Sequence, residues 1–244
     1  MSADPNGATV IPLASAKESR RPLGRALRAV TRPVAVVWPR PTVDEWGRDA
    51  RLIEALQPLA HLRWDVTVGG QQHIGEGGAL VIISTRRMAL TAVYASWAIG
   101  DALDRPVRFA GRRDTVPFGP WMRRAGGILA HPDEIASALR AGEIVVAGAS
   151  PTTNPRQAGT IDPHLIEPAL REHVPVHVAA TMNTMIGRQA RVEIARALRP
   201  KRPRRGPLAE VELAEQAQRA LQDLLDELGG TRTGLGVLGW MAEG

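Results

Sequence analysis

The chain has 244 residues, 31 Lys plus Arg against 25 Asp plus Glu, and 44% hydrophobic content, enough for a full core and too balanced for disorder. It contains no cysteine, which excludes thiol nucleophiles, zinc ribbons and disulfides; its only lysines, Lys17 and Lys201, follow no glycine-rich strand-to-helix loop, which excludes a Walker A phosphate cradle and a Schiff-base lysine. The formal charge of +6 is carried almost wholly by arginine, which grips phosphate and carboxylate through paired hydrogen bonds, and six Trp, two Phe and one Tyr are too few for base-stacking platforms.

Residues 1–16 are small and polar, without the basic start and apolar stretch of a signal peptide, and predict a flexible tail and no secretion. Residues 17–62 predict a basic amphipathic helical region, in which Arg21, Arg25, Arg28 and Arg32 share one stripe beside Leu23, Leu27 and Val30. That stripe suits an anionic lipid surface and equally suits a solvated helix face. No apolar run approaches the ~18 residues that span a bilayer.

Helix-like stretches at 43–60, 88–103, 132–141 and 163–172 alternate with strand-like runs at 65–68, 79–84, 107–111, 144–147, 175–179 and 190–194. The predicted fold is α/β, a single domain over 63–228 with a mixed, mostly buried sheet flanked by helices. A last helix over 207–228 opens on Pro207, shows Leu208, Val211, Ala214, Leu221, Leu224, Leu225 and Leu228 to the sheet, and stops before Gly229. A basic, proline-rich loop over 199–207 precedes it, and 229–244 reads as a flexible apolar tail.

Three short motifs lack the context their chemistry needs. Gly234, Gly236 and Gly239 spell GxGxxG, but only five residues follow, too few for the helix of a dinucleotide site. Gly148, Ser150 and Thr152 approach a nucleophile elbow, yet the closing glycine is missing and PTTNPRQAG continues as a loop. Six histidines (61, 73, 131, 164, 173 and 177) read singly as surface or structural; His164 and Glu167, spaced i, i+3, find no second ligand pair, so no metal site is expected.

Taken in order over about 64–228, the segments GGALVIISTRRMALT, PVRFAGRRDTVPFGPWMRRAGGIL, ALRAGEIVVAGASPTT, HVPVHVAAT and RVEI resemble the lysophospholipid and glycerol-phosphate acyltransferase superfamily, which includes the 1-acylglycerol-3-phosphate acyltransferases. The resemblance implies a glycerolipid acyltransferase-like fold. In that family a histidine takes the proton of the acceptor hydroxyl, which attacks an acyl thioester, and an aspartate five residues on orients the imidazole. Here the histidine falls on Arg86, the aspartate on Thr91 and the asparagine before the histidine on Thr85. Arginine stays protonated and cannot accept a proton, and residues 84–91 hold neither His nor a carboxylate.

Further blocks diverge as well. The glutamate, glycine and arginine of the third block fall on Ser150, Pro151 and Thr153, with Thr152 keeping its threonine, and the second proline of the fourth falls on Val178. The basic pair of the acceptor block stays as Arg112 and Arg113, and Pro117, Gly119, Trp121 and Gly127 keep the apolar turn and helix after it. The resemblance thus implies no standard catalytic dyad, a phosphate cluster of Arg86, Arg87, Arg112 and Arg113, and a third-block loop of Ser150, Thr152 and Thr153.

The implied ligand is a phospholipid, lysophospholipid or acyl thioester, with acyl-CoA or acyl carrier protein as a donor and no resident cofactor. Arg21, Arg25, Arg28 and Arg32 would face an anionic membrane, placing the protein peripherally on its cytoplasmic, inner face; a protein partner stays open. One alternative is an active acyltransferase with relocated groups such as His131 or His177. The other is a nucleic-acid-binding protein using the same arginines on phosphates, although no nucleic acid is expected.

Overall fold

The computed structural model describes residues 43–63, 65–86, 90–112, 118–154, 156–183, 189–199 and 206–230. Helix α1 (Ala50–Arg63) starts seven residues later than the sequence pattern predicts. The Asp44 carboxylate accepts from the Trp46 and Arg48 amides at 3.0 and 2.9 Å, Gly47 takes φ 82°, and Val43 bridges back to Asp49. A side chain that captures the amides two and four residues on makes a turn where the helix would begin. Asp49 then caps α1 by accepting from the Leu52 amide at 3.2 Å.

After α1 come β1 (Asp65–Gly69), a single 3-10 turn (Gln71–His73), β2 (Ala79–Ile83), α2 (Thr91–Leu103), β3 (Val107–Ala110), α3 (Phe118–Arg124), β4 (Gly127–Ile128), α4 (Pro132–Arg140), β5 (Ile144–Gly148), α5 (Pro163–Glu172), β6 (Val176–Asn183), β7 (Gln189–Ile194) and α6 (Pro207–Gly230). Helices α4 and α5 open as their sequences ask, with Pro in the first turn and His131 or Asp162 accepting the amide two residues on. The short α3 and β4 carry no period of their own, and only the family likeness points to α3.

The strands form one seven-stranded sheet in the order β1-β7-β6-β2-β5-β3-β4. Strands β6, β2, β5, β3 and β4 run parallel; β7 is antiparallel to β6, and β1 is parallel to β7. The sheet is therefore mixed, as predicted.

Alternate residues of β2 serve two cores. Leu80 and Ile82 join Val145, Val178, Ile135, Ile166 and Leu221 beneath α4, α5 and α6, whereas Val81 and Ile83 join Val146, Phe109, Val93 and Ile99 beneath α2 and α3.

Helix α6 corrects two expectations. Its buried stripe is Ala209, Leu213, Ala214, Ala217, Leu221, Leu225 and Leu228, which includes the predicted Ala214, Leu221, Leu225 and Leu228, but Leu208 and Val211 face outward at 76% and 43% exposure. The small Ala209 and Ala217 let the helix lie close on this stripe and turn those two neighbours away. The helix also continues through Gly229 to Gly230 instead of stopping before Gly229.

Candidate functional site

Because five neighbouring strands run parallel, their C-terminal ends share one edge, the place where open α/β sheets collect ligand-binding groups. Ser84, Thr85 and Arg86 leave β2 there, Ala149 and Ser150 leave β5, and Gly111 and Arg112 leave β3.

The chain leaving β2 stays paired with the third-block loop. The Ala149 amide donates to Ile83 O at 2.9 Å, the Thr152 amide to Thr85 O at 3.2 Å, and the Thr85 hydroxyl to Ala149 O at 2.6 Å. Arg86 and Thr152 close the pairing with a parallel bridge. Gly148 is required here, since a Cβ would come 2.6 Å from Thr85 Cγ2. The first and third blocks thus lie side by side, with Arg86 next to Thr152. Thr91 is the first residue of α2 and is buried.

Ser150 and Thr153 are exposed. The Ser150 amide donates to Thr160 O at 2.8 Å, and the Thr160 hydroxyl donates to Ser150 Oγ at 2.9 Å. A Cβ on Gly159 would overlap the Ser150 carbonyl oxygen, so the loop closes only over glycine. The Thr152 hydroxyl is turned onto the carbonyls of Asn154 and Gln157 at 2.9 and 3.2 Å. Ser150 is therefore held by a hydroxyl and backbone, not by an imidazole or carboxylate that could take its proton.

On the other flank of Arg86 is a buried hydroxyl pair. Ser84 Oγ and Thr181 Oγ1 stand 3.1 Å apart, the Thr181 amide donates to Ser84 Oγ at 2.9 Å, and the Thr181 hydroxyl lies 2.9 Å from Ser84 O. This lock between β2 and β6 was not among the predicted site residues. Its signal is a lone hydroxyl ending each of two otherwise apolar runs, ALVIIS and VAAT.

Strand β5 stands between β2 and β3, so the ends carrying Arg86 and Arg112 are two strand spacings apart, about 10 Å. The Arg112 amide donates to Ile128 O at 2.9 Å. Arg87, Arg113, Pro117, the stripe of Arg21, Arg25, Arg28 and Arg32, and the GxGxxG glycines lie outside the described residues.

The two histidines of the alternative reading have other duties. His131 follows β4, three strands from β2, and its Nδ1 accepts from the Asp133 amide at 3.3 Å. His177 is fully buried in β6, level with Val81, and its Nδ1 donates to Ala195 O at 3.1 Å. Burial pushes its pKa below the usual 6.5; the Ala195 bond opposes the shift and the charge of His73 adds to it. The ring is neutral, held in the core rather than presented at the edge.

The opposite edge is built on charge pairs. Arg108, 1% exposed near the start of β3, holds Asp44 at 2.6 Å and Glu143, just before β5, at 3.2 Å. Burial raises the Asp44 pKa, but the Arg108 hydrogen bond, the Arg48 and Trp46 amides and the Arg108 charge outweigh it, leaving that carboxyl below its usual range. Nearby, Arg124 pairs with buried Asp49 at 2.5 Å. A cavity of about 900 Å³, lined by Leu170, Val176, Leu198 and Leu213 among others, lies at the start of β6, away from Arg86. Among the described residues no group of three or more His, Asp or Glu could hold a metal ion, and no helix is long and apolar enough to cross a membrane.

Among solved structures, the 1-acyl-sn-glycerophosphate (LPA) acyltransferase PlsC of Thermotoga maritima is similar to this chain, with a TM-score of 0.54 at 16% sequence identity over 73% of this chain and 80% of that one. A likeness at that identity shows the fold, which is acyltransferase-like. No protein-family model and no curated protein matches the sequence.

Proposed function

We propose that this protein uses an acyltransferase-like fold to bind a phospholipid, lysophospholipid or acyl-thioester ligand at the C-terminal edge of its sheet, without the standard acyl transfer. One observation carries the reading: at the ends of β2, β5, β3 and β6 the described groups are arginines, hydroxyls and backbone, with no histidine or carboxylate to act as general base. Arg86 stands in the place the family likeness gives to that base. Guanidinium groups at that edge suit a phosphate. The N-terminal arginine stripe and the basic 199–207 loop add attraction to an anionic membrane on its cytoplasmic side.

The test is acylation of lysophosphatidate with radiolabelled acyl-CoA, beside thermal melts with lysophosphatidate and with an uncharged monoacylglycerol of equal chain length. We expect no product above background. We also expect a larger stabilisation by lysophosphatidate, about 2.7 kcal/mol at a hundredfold excess over Kd, with the difference removed by Arg112→Gln plus Arg113→Gln. Robust turnover would replace this reading with an active acyltransferase whose base lies elsewhere. Equal stabilisation by the two lipids would end the phosphate-site reading.

A further inference from the structure

We infer that one corner of the domain, the outer side of α3 with the start of α2, is a docking surface for an anionic lipid bilayer. The inference rests on the lipid-ligand reading above and specifies the face through which such a ligand arrives.

The topology brings the corner together. Helices α2 and α3 cover the same face of the sheet: Val93 and Ile99 of α2 share a core with Ala125 and Met122 at the end of α3, and the Trp97 indole donates to Ala125 O at 3.0 Å. Helix α2 begins after the C-terminal end of β2 and α3 after that of β3, so both start at the edge that carries Arg86 and Arg112.

At this corner large apolar side chains point outward. Leu90, just before α2, is 54% exposed; on α3, Phe118 is 64% and Trp121 37% exposed. Their spacing, i and i+3, puts Phe118 and Trp121 side by side, while Gly119 is buried and Met122 turns to the core. In a protein with only nine aromatics, two stand together on this short helix.

Charge selects the partner. The segments that lead from the strands into these two helices carry Arg86, Arg87, Arg112 and Arg113 in sequence against a single acidic residue, Asp114, while the two arginines that end α3 are engaged inside the fold. Arg124 answers Asp49 across the loop, and Arg123 donates to Trp46 O at 3.4 Å. An exposed aromatic pair at an edge whose described charges are arginines matches the bilayer interface, where Trp and Phe sit at headgroup depth and cations meet anionic lipid.

The experiment uses the full chain and vesicles of phosphatidylcholine with phosphatidylglycerol, a fraction of the lipid brominated along its acyl chains so that it quenches indoles immersed beside it. The protein should bind, and part of its fluorescence should be quenched. That part should disappear in Trp121→Phe, which keeps the apolar bulk and should bind nearly as well. Phe118→Ser with Trp121→Ser should weaken binding at least about tenfold, the order expected for losing large apolar side chains from the interface. Their melting temperature should stay near that of the parent. Vesicles of phosphatidylcholine alone should bind more weakly than the mixed vesicles.

Absence of vesicle binding, quenching that survives Trp121→Phe unchanged, or full binding by the double variant overturns the inference. A short-chain lysophosphatidate kept monomeric separates it from the ligand reading. If this soluble lipid stabilises the protein and Trp121 stays unquenched, the docking surface is wrong and the ligand site stands. If Trp121 is quenched and the soluble lipid has no effect, the reverse holds.

Discussion

The two edges of the sheet handle positive charge in opposite ways. At the N-terminal edge Arg108 is sealed in and answered from within the chain by Asp44 and Glu143. At the C-terminal edge the described residues 84–86, 110–112, 148–153 and 179–182 hold arginines and hydroxyls and no Asp or Glu. A buried charge needs its counter-ion in the fold itself, whereas a charge at a ligand edge is useful only if the counter-ion comes from outside. The first edge is architecture; the second is the one that the proposed function makes a receiver of ligand.

Exchanging arginines tests the contrast most severely. Arg108→Met takes from Glu143 and Asp44 the guanidinium that bonds them both, leaving only the charge of Arg48 nearby, and should destabilise the protein by about 3 kcal/mol. Arg86→Met should change the unliganded stability by less than about 0.5 kcal/mol, as ordinary surface substitutions do. Denaturant titration of the two variants checks both. A large loss from Arg86→Met would mean that the C-terminal edge is also internally neutralised.

A smaller effect is expected at the hydroxyl lock. Thr181→Val should cost about 1–3 kcal/mol, because it strips a partner from buried Ser84. Adding Ser84→Ala should cost less than the two single losses combined, since the pair acts as one unit. A double-mutant cycle by thermal or urea unfolding measures the coupling; strict additivity would show that the hydroxyls do not hold each other.

Acid should separate the buried histidine from the carboxylate on Arg108 by pH, with the smallest free-energy changes. The folded His177 pKa lies below 6.5, so its contribution is intact above that value and is lost as pH falls below it, when the unfolded chain takes up a proton the folded one refuses. The folded Asp44 pKa lies below 3.8, so its contribution is present above 3.8 and is lost as pH falls on through the folded value. His177→Gln should flatten the first phase and leave the second. A first phase that persists in this variant would assign it to another group.

Much of the architecture was legible because each local rule agreed with the fold. The runs ALVII and IVVA gave central strands through unbroken apolar residues, and the stretches opening on Pro132 and Pro163 had their helix starts to the residue. The buried arginine was not legible, because VRFA puts a cation where an exposed strand position would. Its partners lie 64 and 35 residues away in sequence. At the candidate site the resemblance set Arg86 beside the arginines after β3, whereas the backbone bridge of Arg86 is to Thr152 on β5's side; the Ser84 to Thr181 contact spans 97 residues, and the hydroxyl that ends each apolar run does not say which run it will meet. The outward turn of Phe118 and Leu208 also escaped the pattern, since apolar identity predicts burial and only packing decides which side of a helix is covered.

The pairing of β1 with β7 sets a timetable for biosynthesis. Asp65 aligns with Gln189, so β1 leaves the ribosome more than 120 residues before the strand that pairs with it. At roughly 5–20 residues per second, its ladder groups wait about 6–25 s for their partner. Central β2 waits likewise, for β5 and then β6. During translation the nascent chain therefore exposes strand edges that the finished protein hides, and these are the segments a ribosome-bound chaperone would have to shield.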